Sequence, residues 1–311
     1  MSTSGSRRAV FAAMAANLGI ALAKFVGFAF TRSSSMLAEA VHSVADTGNQ
    51  LLLLLGHRRA QHSPTEEHPF GYGRERYFWG FVVSIVLFAL GSMFAIFEGV
   101  EKIIHPHALE SAGWAIAILL VAVVLEASSF RTAVRESNPQ RAGATWFGFI
   151  RESKAPELPV LLLEDSGALV GLLIALAALG LNVITGNAVW DGVGSVLIGV
   201  LLGAISVVLA TEMKSLLIGE AATDADVKAI EDAIRGSDHV RGLIHLRTEH
   251  LGPEELLVGA KVDFDPSLTF TELARTIDAV EVDIRAAVPA ARLIYLEPAV
   301  ARPKAEDAEP S

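Results

Sequence analysis

The chain has 311 residues, 52% of them hydrophobic and 19% charged, with a mean hydropathy of +0.45. Soluble domains carry about 25% charged residues, so this balance points to a membrane protein, and a net charge of −10 argues against a nucleic-acid partner. The absence of cysteine excludes a disulfide scaffold, a thiolate metal site and a cysteine nucleophile.

A helix needs about 20 mostly apolar residues to cross a bilayer. Six segments qualify: 8–31, 34–56, 77–101, 113–135, 158–181 and 188–213. Arg7 and Arg8 lead straight into the first, which has full transmembrane length and reads as a span rather than a cleavable signal peptide. Its polar residues, Asn17 and Lys24, read as packing or snorkelling groups. The second segment is the least hydrophobic, because Glu39, His42, Asp46, Asn49 and Gln50 interrupt it.

A charged side chain near the bilayer centre costs about 2.5–3.5 kcal/mol or more, so such groups face a cavity, pair with one another or bind an ion. His42 and Asp46 are four residues apart and project from one helix face, roughly 6 Å apart at Cβ. Imidazole nitrogen with carboxylate oxygen makes a half-site for Zn²⁺, and also suits Co²⁺ or Mn²⁺. Asn49 either lines the same path or bonds a neighbouring helix. Glu39, one turn before His42, reads as a cavity-wall carboxylate nearer the non-cytoplasmic mouth.

In the fifth span, Glu164 and Asp165 sit deep enough to supply the other half-site. Adjacent helical residues diverge by about 100°, which predicts that one of the two aims at the shared site. Glu98, Glu101, Asp191 and Glu212 lie near span ends, where solvation is expected. Lys and Arg concentrate after span two (Arg58, Arg59, Arg74, Arg76) and after span four (Arg131, Arg135, Arg141, Arg151, Lys154). That bias predicts cytoplasmic loops there, and cytoplasmic termini.

Beyond about residue 218 the pattern is that of a soluble α+β domain, running to residue 300, with a disordered tail at 301–311. Thr223 caps a helix reaching to about Arg235. Leu256, Val258, Ala260, Val262 and Phe264 alternate with polar residues as in a half-buried strand, and 240–250 reads as its partner across a turn at Gly252–Pro253. Phe270, Leu273, Ile277, Val280 and Ile284 lie on one helix face, and Leu293–Leu296 is a last strand. The order αββαβ suggests a ferredoxin-like module.

The stretch SMLAEAVHSVAD, ending at Asp46, resembles the second transmembrane helix of the cation diffusion facilitator family, and HPFGYGRERYFW at 68–79 resembles the loop that follows it there. The resemblance covers nearly the whole chain. It implies a homodimer of six-helix transmembrane domains (1–217), each with a cytoplasmic dimerisation domain (218–300), in the bilayer of a bacterial inner membrane. It further implies export of divalent cations, commonly Zn²⁺, in exchange for protons, with the metal as substrate and no cofactor. The family's helix-two pair falls on His42 and Asp46. Of its helix-five pair, the first position falls on Glu164 and the second on Ala168, leaving Asp165 as the other carboxylate. This resembles the sub-branch carrying Glu-Asp there, and a site of one imidazole and several carboxylates leaves Mn²⁺, Co²⁺ or Fe²⁺ open as substrates. The family's loop site retains His68, with Tyr72 at a second ligand position and Glu66 and Glu67 close by. Its tail sites match little beyond Glu297, and His245 and His250 read as surface histidines of a strand pair. An enzyme is disfavoured by the absence of HExxH and of a nucleophile elbow. A passive channel or a membrane scaffold would not require the chelating residues.

Overall fold

The computed structural model describes residues 18–106, 112–141 and 143–300. Asn17, the opening of the first predicted span and the tail at 301–311 lie outside the described residues. Contacts divide the chain into two compact units. One runs to His62 and resumes over Glu75–Lys214; the other joins Ser63–Arg74 to the residues from Ser215 onward.

The first unit is helical. Its elements are α1 (Leu18–Thr31), α2 (Ser34–Ala60), α3 (Glu75–Ile104), α4 (Ala112–Arg141), the short α5 (Trp146–Glu152), α6 (Glu157–Thr185) and α7 (Val189–Ile218). Four of them, α3, α4, α6 and α7, are long and apolar enough to cross a membrane. α1 is apolar but short over its described residues, and α2 has 27 residues whose polar groups lower its hydropathy. The short α5 falls inside the connection after span four, which sequence alone reads as a loop. α3 changes to a π-helix over Leu87–Met93. Small residues bring α3 and α7 backbone to backbone: a Cβ placed on Gly99 would sit 2.6 Å from the Gly192 carbonyl oxygen. Met36, Val83, Leu119, Leu172, Leu179, Ile198 and Leu202 fill the interior between the helices.

α2 carries the candidate ligands, and its N-terminus is anchored from α7. Asp191 is fully buried, not solvated as its place near a span end suggests. Its carboxylate accepts bonds from the Ser33 hydroxyl (2.7 Å), the Ser34 amide (2.7 Å) and the Ser35 hydroxyl (2.5 Å). Orphan amides and the positive end of the helix dipole explain the preference for an anion there.

In the second unit, α8 (Asp224–Gly236) precedes β1 (Val240–Gly252) and β2 (Glu255–Phe264), which pair antiparallel with Leu246 opposite Ala260. After α9 (Phe270–Ala287), β3 (Ala291–Ala299) joins β2 in parallel, giving the order β1-β2-β3 and the expected αββαβ sequence of elements. Ile230, Ile234, Val258, Val262, Val280 and Ile284 form its core. Phe270 departs from the expected apolar face: it is the first residue of α9 and is 86% exposed. A capping box between Thr269 and Glu272 starts that helix. The stretch Ser63–Arg74 packs here, with Gly73 close against Leu251 and Gly252 and Arg74 paired with Glu249.

Replacing Asp191 by Ala should lower the thermal unfolding midpoint of the detergent-solubilised protein, through a loss on the order of 2–4 kcal/mol. An unchanged midpoint would mean that this carboxylate does not anchor α2.

Candidate metal centre

His42 and Asp46 are consecutive-turn neighbours on α2. The imidazole is fully buried, and its Nδ1 lies 3.4 Å from Asp46 Oδ1. Across from them, α6 contributes Glu164 and Asp165, both buried. Asn49 Nδ2 donates to Glu164 Oε1 at 2.6 Å, which ties α2 to α6. Ser129 on α4 donates to Asp165 Oδ2 at 2.9 Å. The angular divergence of two adjacent helical residues therefore sends one carboxylate toward α2 and the other toward α4.

Between them lies a cavity of about 10 Å³, lined by Ser43, Asp46, Gln50, Glu126, Glu164 and Asp165. A space of that size holds about one water-sized particle. Both members of the acidic pair on α6 thus line the hollow, where the helical angle alone predicts one. His42 stands beside Asp46 without forming part of the lining. Both of its ring nitrogens, Asp46 Oδ1 and Asn49 Oδ1 are buried without a hydrogen bond. A neutral imidazole offers one lone pair and one N–H, so one ring nitrogen with the Asp46 and Asn49 oxygens makes a donor set that suits a cation.

Among the described residues, no three His, Asp or Glu side chains converge closely enough to hold a metal ion as they stand. The Asn49 and Ser129 bonds each use one oxygen of a carboxylate, Glu164 Oε1 and Asp165 Oδ2, and leave the other oxygen to accept a further partner.

The remaining expected residues are placed differently. Glu39 is fully buried and absent from the cavity lining; its Oε2 lies 3.2 Å from Lys24 Nζ. Lys24 does not snorkel. It is fully buried, donates to Ser43 Oγ at 2.8 Å and lies 3.9 Å from Glu126 Oε1. Gly171 on α6 leaves room for this arrangement, since a Cβ there would collide with Glu39 Oε1. His68 belongs to the second unit, where it is exposed and stacks on Tyr72 with ring centroids 4.7 Å apart. His250 is buried rather than a surface residue, with Nδ1 3.4 Å from the Gly252 carbonyl oxygen, and Glu297 pairs with Lys261 at 2.9 Å.

Glu126, Ser43 and Ser129 are the lining and bonding groups that a reading of sequence passes over, while Gln50 enters it only as an interruption of the second span. Glu126 carries a usable signal, as a lone carboxylate following Val123, Val124 and Leu125 in the middle of an apolar span. The two serine hydroxyls carry none, because serine is common in helices of every kind.

Two family models match the chain. The cation efflux transmembrane domain covers residues 10–218, and the cation efflux protein cytoplasmic domain covers 222–299. The mitochondrial proton-coupled zinc antiporter SLC30A9 of Homo sapiens is 34% identical over 244 residues, which are 78% of this chain and 43% of that protein. Metal tolerance protein C4 of Arabidopsis thaliana is 30% identical over 262 residues, 84% of this chain and 57% of that one. The cation-efflux pump FieF of Klebsiella pneumoniae is 26% identical over 304 residues, covering 96% of this chain and 95% of the pump. The chain therefore spans less than half the length of the zinc antiporter that it matches.

The room left by Gly171 is testable. Gly171→Ala should destabilise the protein by about 1–3 kcal/mol through overpacking against Glu39, read as a lower thermal midpoint. Gly180→Ala on the same helix, where a Cβ meets nothing within 4 Å, serves as the comparison. Equal midpoints for the two variants would contradict the placement of Glu39.

Proposed function

Because the chain belongs to the cation efflux family, we propose that it is a secondary transporter carrying divalent metal cations, Zn²⁺ first among them, out of the cytoplasm in exchange for protons. The single observation that carries this reading is the shared hollow of Asp46, Glu164 and Asp165, with the buried imidazole of His42 beside it. Oxygen donors plus one imidazole suit a divalent ion of borderline softness.

The cycle follows from ligand chemistry. A cation entering from the cytoplasm displaces Asn49 from Glu164 and Ser129 from Asp165, replacing neutral donors by a double positive charge. Metal binds deprotonated carboxylate and neutral imidazole, so loading releases protons. Facing the more acidic side, the same groups take up protons and the ion leaves. Alternation of that kind rocks one group of helices against another around a site near the midplane. The match of the tail to the family's cytoplasmic domain supports a homodimer, and the Lys and Arg bias supports cytoplasmic termini; the membrane we propose is a bacterial inner membrane. The zinc and proton coupling named for the human relative support the same assignment here.

A second reading keeps the mechanism and changes the cargo. With carboxylates outnumbering the one imidazole, the donor set is harder than a histidine-rich one and favours Mn²⁺, Co²⁺ or Fe²⁺. Calorimetric competition among Zn²⁺, Mn²⁺, Co²⁺ and Fe²⁺ on the purified dimer decides between the two.

In proteoliposomes, His42→Ala and Asp46→Ala should each abolish metal-dependent proton flux while leaving the dimer intact. Flux retained in both variants would refute the assignment.

A further inference from the structure

Lys24 is a cation where the transport scheme needs none. Its ammonium is fully buried, yet it reaches two groups of the cavity wall, Ser43 at 2.8 Å and Glu126 at 3.9 Å. Its third contact, Glu39 at 3.2 Å, stands outside the lining. Lys24 also borders an apolar groove with Ile20, Ala23, Ile118, Val121 and Leu125, while its Nζ lies within reach of the wall of the acidic hollow.

A buried ammonium has three N–H donors and seeks an acceptor for each. Here one ammonium serves Glu39 and also touches the wall that Asp46, Glu164 and Asp165 complete. A fixed positive charge beside a site for a divalent cation repels that cation, and the repulsion is strong where water is scarce. It also neutralises part of the acidic wall before any metal arrives. Resting on the transport reading above, we propose that Lys24 is a tethered counter-cation of the transport cavity, which competes with the divalent ion for the acidic wall and so weakens binding enough to permit release.

The proposal separates affinity from turnover. Lys24→Gln keeps a hydrogen-bonding side chain, one bond shorter, and removes the charge. In the purified full-length protein it should bind Zn²⁺ at least about tenfold more tightly by calorimetry, while Zn²⁺ flux into proteoliposomes falls. A structural lesion would lower both. If Lys24→Gln alone does not fold, Lys24→Gln combined with Glu39→Gln removes the pair as a neutral unit. That double variant should still bind Zn²⁺ more tightly than wild type, because Lys24 reaches the cavity wall and Glu39 does not line it. Affinity equal to or weaker than wild type in the variant that folds overturns the proposal, even where Asp46→Ala abolishes Zn²⁺ binding and the transport reading stands. Wild-type protein that binds no Zn²⁺ overturns both.

Discussion

Carboxylates enclosed by apolar helices set the terms for the whole transmembrane unit. Two like charges about 4 Å apart repel by roughly 4 kcal/mol at the effective dielectric of a protein, and each alone is expensive to remove from water. Three of the buried acids accordingly have a donor drawn from another helix: Asn49 for Glu164, Ser129 for Asp165 and Lys24 for Glu39. These contacts link α1, α2, α4 and α6, so the polar network that suits a cation also specifies which helices are neighbours. The bonds are to neutral or tethered groups.

The surrounding fold keeps this network in register. Asp191 fixes the N-terminus of α2 three turns from Asp46, while Gly171 leaves space for the Glu39 carboxyl against α6. Close glycine-mediated contact between α3 and α7 supplies a rigid pair that contributes nothing to the cavity lining. The unit thereby separates helices that carry the polar groups from helices that support them.

Much of this is legible in the residues themselves, where the relevant periodicity is local. The adjacency of His42 and Asp46 follows from a spacing of four on a helix, and the αββαβ tail follows from alternating and 3.6-residue patterns. The interruptions of the second span mark it as the polar helix. What escapes is pairing across long separations. Lys24 looks like a snorkelling residue until Glu39 and Glu126 are brought against it, and Asp191 looks solvated until the serines more than 150 positions earlier are packed on it. Glu126 stands out as a lone carboxylate in an apolar span, but its partner Lys24 lies about a hundred positions away. Nothing in the composition of Ser63–Arg74 says that it packs with the tail strands, because Gly73 makes that approach through its lack of a side chain.

Zinc-edge X-ray absorption on the purified protein loaded with one equivalent of Zn²⁺ tests the central claim most directly. The account predicts a first shell of nitrogen and oxygen at about 2.0–2.2 Å with the outer-shell scattering of a single imidazole, and loss of that imidazole signal in His42→Ala. A spectrum with several imidazoles, or one that His42→Ala leaves unchanged, would place the ion elsewhere in the molecule.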